Sequence, residues 1–280
     1  PGHDGAGARV ADQGPPVLEV RDLVKVYGLP AGTPRNPAMP HAVNEVSFTL
    51  TKGQTLGIVG ESGSGKSTVA RMLLRLTPTT EGQVLWRGRD VLAMGPKDLL
   101  AYRRRVQMVF QDPYSSMNPR MSVFQIISEP WVIHRDILPK AAWRDRVHEL
   151  LDLVGLQPEH ADRYPHQFSG GQRQRIAIAR ALACDPELII CDEAVSALDV
   201  SIQMQVITLL ADLRDRLGLS LVFITHDLPI VRRLADRILV MKGGRAVEEQ
   251  EAEMLFRNPR EDYTRTLIGA APRPKWEMAG

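Results

Sequence analysis

The chain has 280 residues, 44% of them hydrophobic and 24% charged, enough apolar material for one large α/β domain or two smaller ones. Its net charge of +2 is nearly balanced, which argues against a nucleic-acid-binding surface as the main function. No stretch reaches the apolar length of a membrane-spanning helix, no signal peptide opens the chain, and Cys184 and Cys191 lack the spacing of a zinc site or disulfide framework, so a soluble cytoplasmic protein with reduced core cysteines is expected.

In chain order, residues 1–16 are dominated by Gly, Ala and Pro and read as a disordered tail or linker, from a chain that is processed, truncated or cut from a longer polypeptide. Antiparallel strands are expected at 17–20, 23–27 and, after a Pro- and Gly-rich loop at 28–40, at 46–50. Tyr27 closes the second of them. A short apolar strand at 56–59 then runs directly into Gly60-Glu61-Ser62-Gly63-Ser64-Gly65-Lys66-Ser67-Thr68, which satisfies G-x-x-x-x-G-K-[ST]. A helical pattern follows at Val69, Met72, Leu73 and Leu76.

This is the strand, loop and helix context that a phosphate loop requires. Its glycines let successive backbone N–H groups turn inward around an anion, and the helix that starts there adds its positive dipole end. In such a loop Lys66 reaches the β- and γ-phosphates of ATP, and the Ser67 hydroxyl is placed to ligate Mg²⁺.

Farther along, 106–110 reads as a buried strand with Gln111 at its end. Between about 112 and 185 the pattern turns helical, as at Val147, Leu150, Leu151 and Val154 closed by Gly155. Ser169-Gly170-Gly171-Gln172 opens a helix expected from Arg173 to Ala183, which makes a second anion site at a helix N-terminus. The apolar run 188–191 reads as a central parallel strand that delivers Asp192 and Glu193 to the carboxyl edge of the sheet. A helix with Ile202, Val206, Leu209, Leu210, Leu213 and Leu217 on one face follows, then a buried strand at 221–225 that ends at His226.

The ordered set 60–68, Gln111, 169–172, Asp192 with Glu193, 196–199 and His226 resembles the motif series of ATP-binding cassette (ABC) ATPases, over about residues 17–245. The resemblance implies an α/β P-loop NTPase with a RecA-like core, an antiparallel β flank and an α-helical subdomain at about 112–185. It implies that Tyr27 stacks on adenine, the alternative being a tyrosine packed on the sheet. Gln111 would contact Mg²⁺ or the attacking water, Asp192 would hold the hydrated Mg²⁺, and Glu193 would orient and deprotonate that water. His226 would contact the γ-phosphate and help fix Glu193. Residues 169–172 would cover the γ-phosphate held by a second cassette packed head to tail, whether identical, different or fused, with 196–199 across the seam. Two departures are visible: Phe168 stands where Leu is more frequent, and Ala194-Val195 where many members have Pro-Thr. Neither touches the carboxylates.

The segment 112–120, together with 255–259 and 263–268 in a C-terminal extension spanning 246–280, resembles oligopeptide and dipeptide importer ATPases. In that group the first segment faces the membrane subunits. Some members carry an iron–sulfur cluster in the extension; no cysteine follows Cys191 here, so this chain cannot. The resemblance therefore implies an ATP-hydrolysing subunit, peripheral at the cytoplasmic face of a membrane, that uses ATP and Mg²⁺. It would work with a second cassette, two transmembrane permease subunits and, indirectly, an extracytoplasmic substrate-binding protein, without nucleic acid. Peptides are the leading cargo, with nickel and glutathione handled by close relatives. The alternative is a soluble ABC ATPase without a permease, although the long coiled coils, zinc hooks and basic insertions of such proteins are missing here.

Overall fold

A computed structural model of the chain describes residues 14–28, 39–113 and 116–271. Most of the expected tail at 1–16 and of the loop at 28–40, part of the 112–120 segment, and the end of the extension lie outside the described residues. Two sheets organise the rest.

The first sheet comprises β1 (Leu18–Val26), β2 (His41–Leu50), β4 (Glu81–Trp86) and β5 (Arg89–Asp90), antiparallel and ordered β2-β1-β4-β5. Where the sequence pattern suggests separate strands at 17–20 and 23–27, the chain forms one strand with a bulge. Asp22 sits there at φ +46°, and the register shifts against both neighbours. The Asp22 N–H donates to the Ser47 hydroxyl at 2.8 Å, and that hydroxyl donates to the Asp22 carboxylate at 3.1 Å, so a side chain replaces the lost ladder bond. Opposite, Gly82 leaves room for the bulge: a Cβ there would stand 2.5 Å from the Asp22 carbonyl oxygen. Strand β2 likewise begins at His41, five residues before the expected start, because a kink at Glu45 (φ +55°) interrupts the pattern without ending the strand.

The second sheet has the order β10-β9-β3-β8-β7-β6. Strands β3 (Thr55–Val59), β6 (Val106–Val109), β7 (Leu188–Asp192), β8 (Ser220–Thr225) and β9 (Arg237–Lys242) are parallel, and β10 (Arg245–Glu251) lies antiparallel at one edge. Every residue of β3, β7 and β8 is buried, as central parallel strands require. Alternate residues serve two cores. Leu188, Ile190, Val222 and Ile224 face a core shared with the first sheet, while Ile189, Cys191, Leu221 and Phe223 face the helices on the other side. Both cysteines are free and buried, and burial pushes their thiols up, to about 11 for Cys184 and about 12 for Cys191.

The helices are α1 (Lys66–Leu73), α2 (Pro96–Arg105), α3 (Val123–Ile133), α4 (Trp143–Leu153), α5 (Gly170–Leu182), α6 (Val200–Leu217), α7 (Leu228–Leu234), α8 (Ala252–Arg257) and α9 (Asp262–Ala270). Helix α1 stops short of Leu76, which is half exposed, because Arg75 at φ +51° turns the chain away. Helix α4 ends as expected, with Gly155 at φ +71° and the Leu156 N–H returning to the Leu151 carbonyl at 2.8 Å. On α6 the inward face is Val206, Ile207, Leu210 and Leu213, whereas Leu217 in the last turn is about half exposed. Between Gln111 and Asp185 the described residues contain helices and no strand. Trp131 joins α3 to the end of α5 by donating its indole N–H to the Ala183 carbonyl at 2.7 Å.

Gly57 in the middle of β3 lets α7 lie directly on the sheet: a Cβ there would meet Val231 Cγ2 at 2.3 Å and Ala235 Cβ at 3.1 Å. Gly57→Ala is expected to lower stability by about 1–3 kcal/mol through overpacking. Denaturant unfolding would read this as a lower midpoint at unchanged slope; an unshifted midpoint would mean that α7 is not tightly seated.

Candidate functional site

Strands β3, β8 and β7 are neighbours and end level, with Val59 paired to Thr225 and Ile224 paired to Asp192. Their pairing alone therefore brings Gly60, Asp192 with Glu193, and His226 to one edge, the carboxyl edge where open α/β sheets bind ligands. Gly60 leaves β3 at φ +153°, and a Cβ on it would lie 2.2 Å from the Met241 carbonyl oxygen. Gly65, the residue before α1, has φ +101° and would place a Cβ 2.3 Å from the Ala42 carbonyl oxygen. No other amino acid fits at either point. The 60–68 loop is thus seated between the end of β9 and the start of β2, and the Gly244 N–H adds a bond to the Ser64 carbonyl at 3.0 Å.

Lys66 is almost fully buried, and its ammonium donates to the carbonyls of Gly60 and Glu61, both at 2.8 Å, and to the Ser64 hydroxyl at 3.3 Å. Burial holds its pKa below the ordinary lysine value, while the carboxylates of Glu193, Asp192 and Glu61 pull the other way. The Ser67 hydroxyl donates to Asp192 Oδ1 at 2.7 Å. Burial pushes the Asp192 carboxyl up, with Glu193 adding to the effect, and the Ser67 bond, Arg71 and Lys66 oppose it. A hard divalent cation fits this pair, since both partners are oxygens and a buried carboxylate gains from a positive charge beside it.

Glu193 sits at φ +49°, in the left-handed region where a residue with a side chain is held at a cost of about 1–3 kcal/mol. Its N–H is anchored on the Ile224 carbonyl at 2.9 Å, and its carbonyl accepts the Ser196 N–H at 3.1 Å and the Ser196 hydroxyl at 3.0 Å. His226 Nδ1 lies 3.6 Å from Glu193 Oε1. Gln111, exposed beyond β6, donates its amide to Ser196 Oγ at 3.3 Å. Ser196 thereby joins Gln111 to the Glu193 backbone. The sequence alone assigns no such link, because 85 residues separate Gln111 from Ser196.

Tyr27 lies just past β1 and is half exposed, with its hydroxyl 3.4 Å from Thr68 Oγ1 and the Lys25 ammonium 5.1 Å from its ring centroid. Its open ring leaves a face for a planar ligand. Residues Glu61, Ser62 and Gly63 are exposed, while Ser64 is buried.

Residues 169–172 stand apart. Ser169 caps α5, accepting the Gln172 N–H at 3.3 Å while the Gln172 side chain accepts the Ser169 N–H at 3.0 Å. This reciprocal cap starts the helix at Gly170, three residues before the expected Arg173, and it ends at Leu182. Gly170 and Gly171 face the chain after Glu193, where Cβ atoms would meet Leu198 Cδ2 at 3.1 Å and Ile202 Cγ2 at 2.4 Å. Among the described residues no hydrogen bond joins 169–172 to 60–68. One contact of the loop was invisible in the sequence: the Glu61 N–H donates to the Tyr263 hydroxyl at 3.3 Å, across 202 residues.

Residues 43–196 match the ABC transporter family. The chain is 51% identical over 259 residues to the oligopeptide transport ATP-binding protein OppF of Bacillus subtilis, covering 92% of this chain and 83% of that one. It is 47% identical over 258 residues to the dipeptide transport ATP-binding protein DppF of Escherichia coli, covering 92% and 77%. Among solved structures it resembles the dimeric ATP-binding cassette MJ0796 bound to ADP and Pi, with a TM-score of 0.72 and 29% identity over 84% of this chain and 98% of that one. The chain belongs to the ABC transporter family, as one of its ATP-hydrolysing cassettes.

Because its folded pKa is raised, Asp192 contributes stability that is complete below the ordinary value of 3.8 and is lost as pH rises through the folded value. At neutral pH, without metal or nucleotide, its charge therefore opposes folding. Asp192→Asn, which can still accept from Ser67, is expected to melt a few degrees higher at pH 7, where about 1 kcal/mol moves Tm by about 2–4 °C. The gap should close towards acid pH in scanning calorimetry; a variant that melts lower at pH 7 contradicts this account.

Proposed function

We propose that the chain powers an importer of peptides: a peripheral subunit at the cytoplasmic face of a membrane, paired head to tail with a second cassette and docked on two permease subunits. Cargo would reach the permease from an extracytoplasmic substrate-binding protein. The observation that carries the hydrolytic part is the convergence of Lys66, Ser67, Asp192, Glu193 and His226 at the ends of β3, β7 and β8. Peptide import is supported by the relatives named for oligopeptide and dipeptide transport, which match along 92% of the chain.

In this reading the N–H groups of 60–68 and the Lys66 ammonium bind the ATP phosphates, and the open ring of Tyr27 takes the adenine. Ser67, Asp192 and Gln111 supply the oxygen atoms for Mg²⁺, which when bound neutralises phosphate charge and the buried carboxylate. Glu193 takes one proton of the attacking water onto its carboxylate as the water oxygen bonds to the γ-phosphorus and the bridging P–O bond to ADP breaks. His226, 3.6 Å from Oε1, holds that carboxylate in orientation. Gln111, acting through Ser196 on the Glu193 carbonyl, ties the base to the helical segment that follows it.

The Ser169 cap uses a lone pair of the hydroxyl, so its proton stays available for a phosphate held by the mate. A nucleotide shared in this way makes contacts only in the closed pair, so it shifts the population towards closure.

Glu193→Gln is expected to keep ATP binding and to lose at least tenfold in turnover, since a positioned base is typically worth ~10²–10⁴ in rate. Near-normal phosphate release would remove Glu193 from this role. Cargo is tested with the complex purified from native membranes and reconstituted in vesicles. ATP-dependent uptake of labelled di- and oligopeptides is expected; uptake of glutathione alone, or release of the chain without any membrane subunit, would overturn the peptide reading.

A further inference from the structure

Helices α8 and α9 take no part in the chemistry above, yet they are held firmly. Ala252 and Leu255 are buried, and Phe256, Tyr263, Leu267 and Ile268 pack against the helix-side core. On β10, the nearly buried Glu248 carboxylate accepts the N–H groups of Arg260 at 2.9 Å and Glu261 at 3.1 Å. The neighbouring Gln250 amide donates to the Asn258 carbonyl at 3.3 Å and to Glu248. These bonds fix residues 258–261 and with them the start of α9.

The fixed residue that matters is Tyr263. Its ring centroid lies 4.5 Å from the Lys242 ammonium at the end of β9, one residue past the Met241 carbonyl that Gly60 abuts. Its hydroxyl accepts the Glu61 N–H at 3.3 Å. The Glu61 carbonyl, on the other side of the same residue, accepts the Lys66 ammonium at 2.8 Å and the Ser64 N–H at 3.2 Å. Glu61 is thus held from both sides, by the C-terminal helices through its N–H and by the phosphate loop through its carbonyl.

We infer that Tyr263 is a positioning residue of the nucleotide site, through which the C-terminal helices set the first turn of the phosphate loop. The inference rests on the reading of 60–68 as the ATP-phosphate cradle. A cradle of N–H groups binds well only when it is ordered before the ligand arrives, because otherwise binding must supply the ordering entropy. Residues 61–63 are exposed, and a Cβ on Gly63 would have no neighbour within 4 Å, so outside the bonds within the loop the phenol is the hydrogen bond that restrains the N–H side of this turn. The Glu61 carbonyl is also one of the three acceptors of Lys66, so a loose Glu61 loosens the resting place of the lysine. The base Glu193 lies just past β7 and makes no hydrogen bond to this turn, so the effect falls on nucleotide binding rather than on the chemical step.

Tyr263→Phe removes only the hydroxyl and keeps the ring on Lys242. In the full chain without nucleotide, the Glu61 amide is expected to exchange with solvent about fivefold faster, the worth of one ordinary hydrogen bond. In the assembled transporter, KM for ATP should rise about fivefold with kcat within twofold of wild type and the melting temperature lowered by no more than the about 2–4 °C that one hydrogen bond is worth, a split that a merely structural role for α9 would not give. Wild-type exchange together with wild-type KM overturns the inference. A wild-type chain that binds no ATP would instead defeat the phosphate-cradle reading, while the exchange measurement would still report on the Tyr263 bond.

Discussion

The level ending of three parallel strands is the constraint on which everything else rests. Register along β3, β8 and β7 is fixed by residues buried on both faces, and a slip of one position would exchange the two cores residue by residue. That same register sets Gly60, Glu193 and His226 side by side. Two close approaches then complete the loop, where Gly60 meets the Met241 carbonyl and Gly65 the Ala42 carbonyl. Because β2 belongs to the antiparallel sheet and β9 to the parallel one, the 60–68 loop touches both sheets, which also meet directly where the Asn44 N–H donates to the Gly244 carbonyl at 2.7 Å.

The chemistry of the site is a set of tensions that a bound ligand would relieve. Burial disfavours charge on Lys66 and on Asp192, and a phosphate beside the one or a cation beside the other would offset that cost. Glu193 is held in a left-handed backbone conformation by the Ile224 carbonyl on one side and Ser196 on the other. The contacts around it reach both arms of the helical region. Gln111 leads into one arm, and Gly171 of the other packs on Ile202 just past the Glu193 turn. The two arms are themselves linked, since Arg180 on α5 donates to the Ser116 carbonyl at 2.7 Å. A change around Glu193 therefore has covalent and hydrogen-bonded routes into the helices without crossing the sheet.

Much of this was legible in the sequence because the informative residues are local. The run 60–68 carries its own strand and helix, and the apolar runs before Asp192 and His226 announce buried parallel strands. The bulge at Asp22 was not legible, since Ser47, which replaces the missing ladder bond, lies 25 residues away. Nor was the early start of α5, because the pattern 169–172 points to a ligand and gives no sign that Ser169 and Gln172 cap the helix. The Ser196 and Tyr263 contacts are long-range bonds with no periodic signal, so only the assembled fold reveals them.

The two cysteines have a practical consequence. Each thiol is buried and its pKa lies far above neutrality, so almost no thiolate is available to an oxidant or alkylating reagent while the chain is folded. The native protein thus offers a chemically silent background. A single cysteine introduced on its surface can be labelled selectively without removing Cys184 or Cys191, and slow modification of those two becomes a clock for the opening of the core itself.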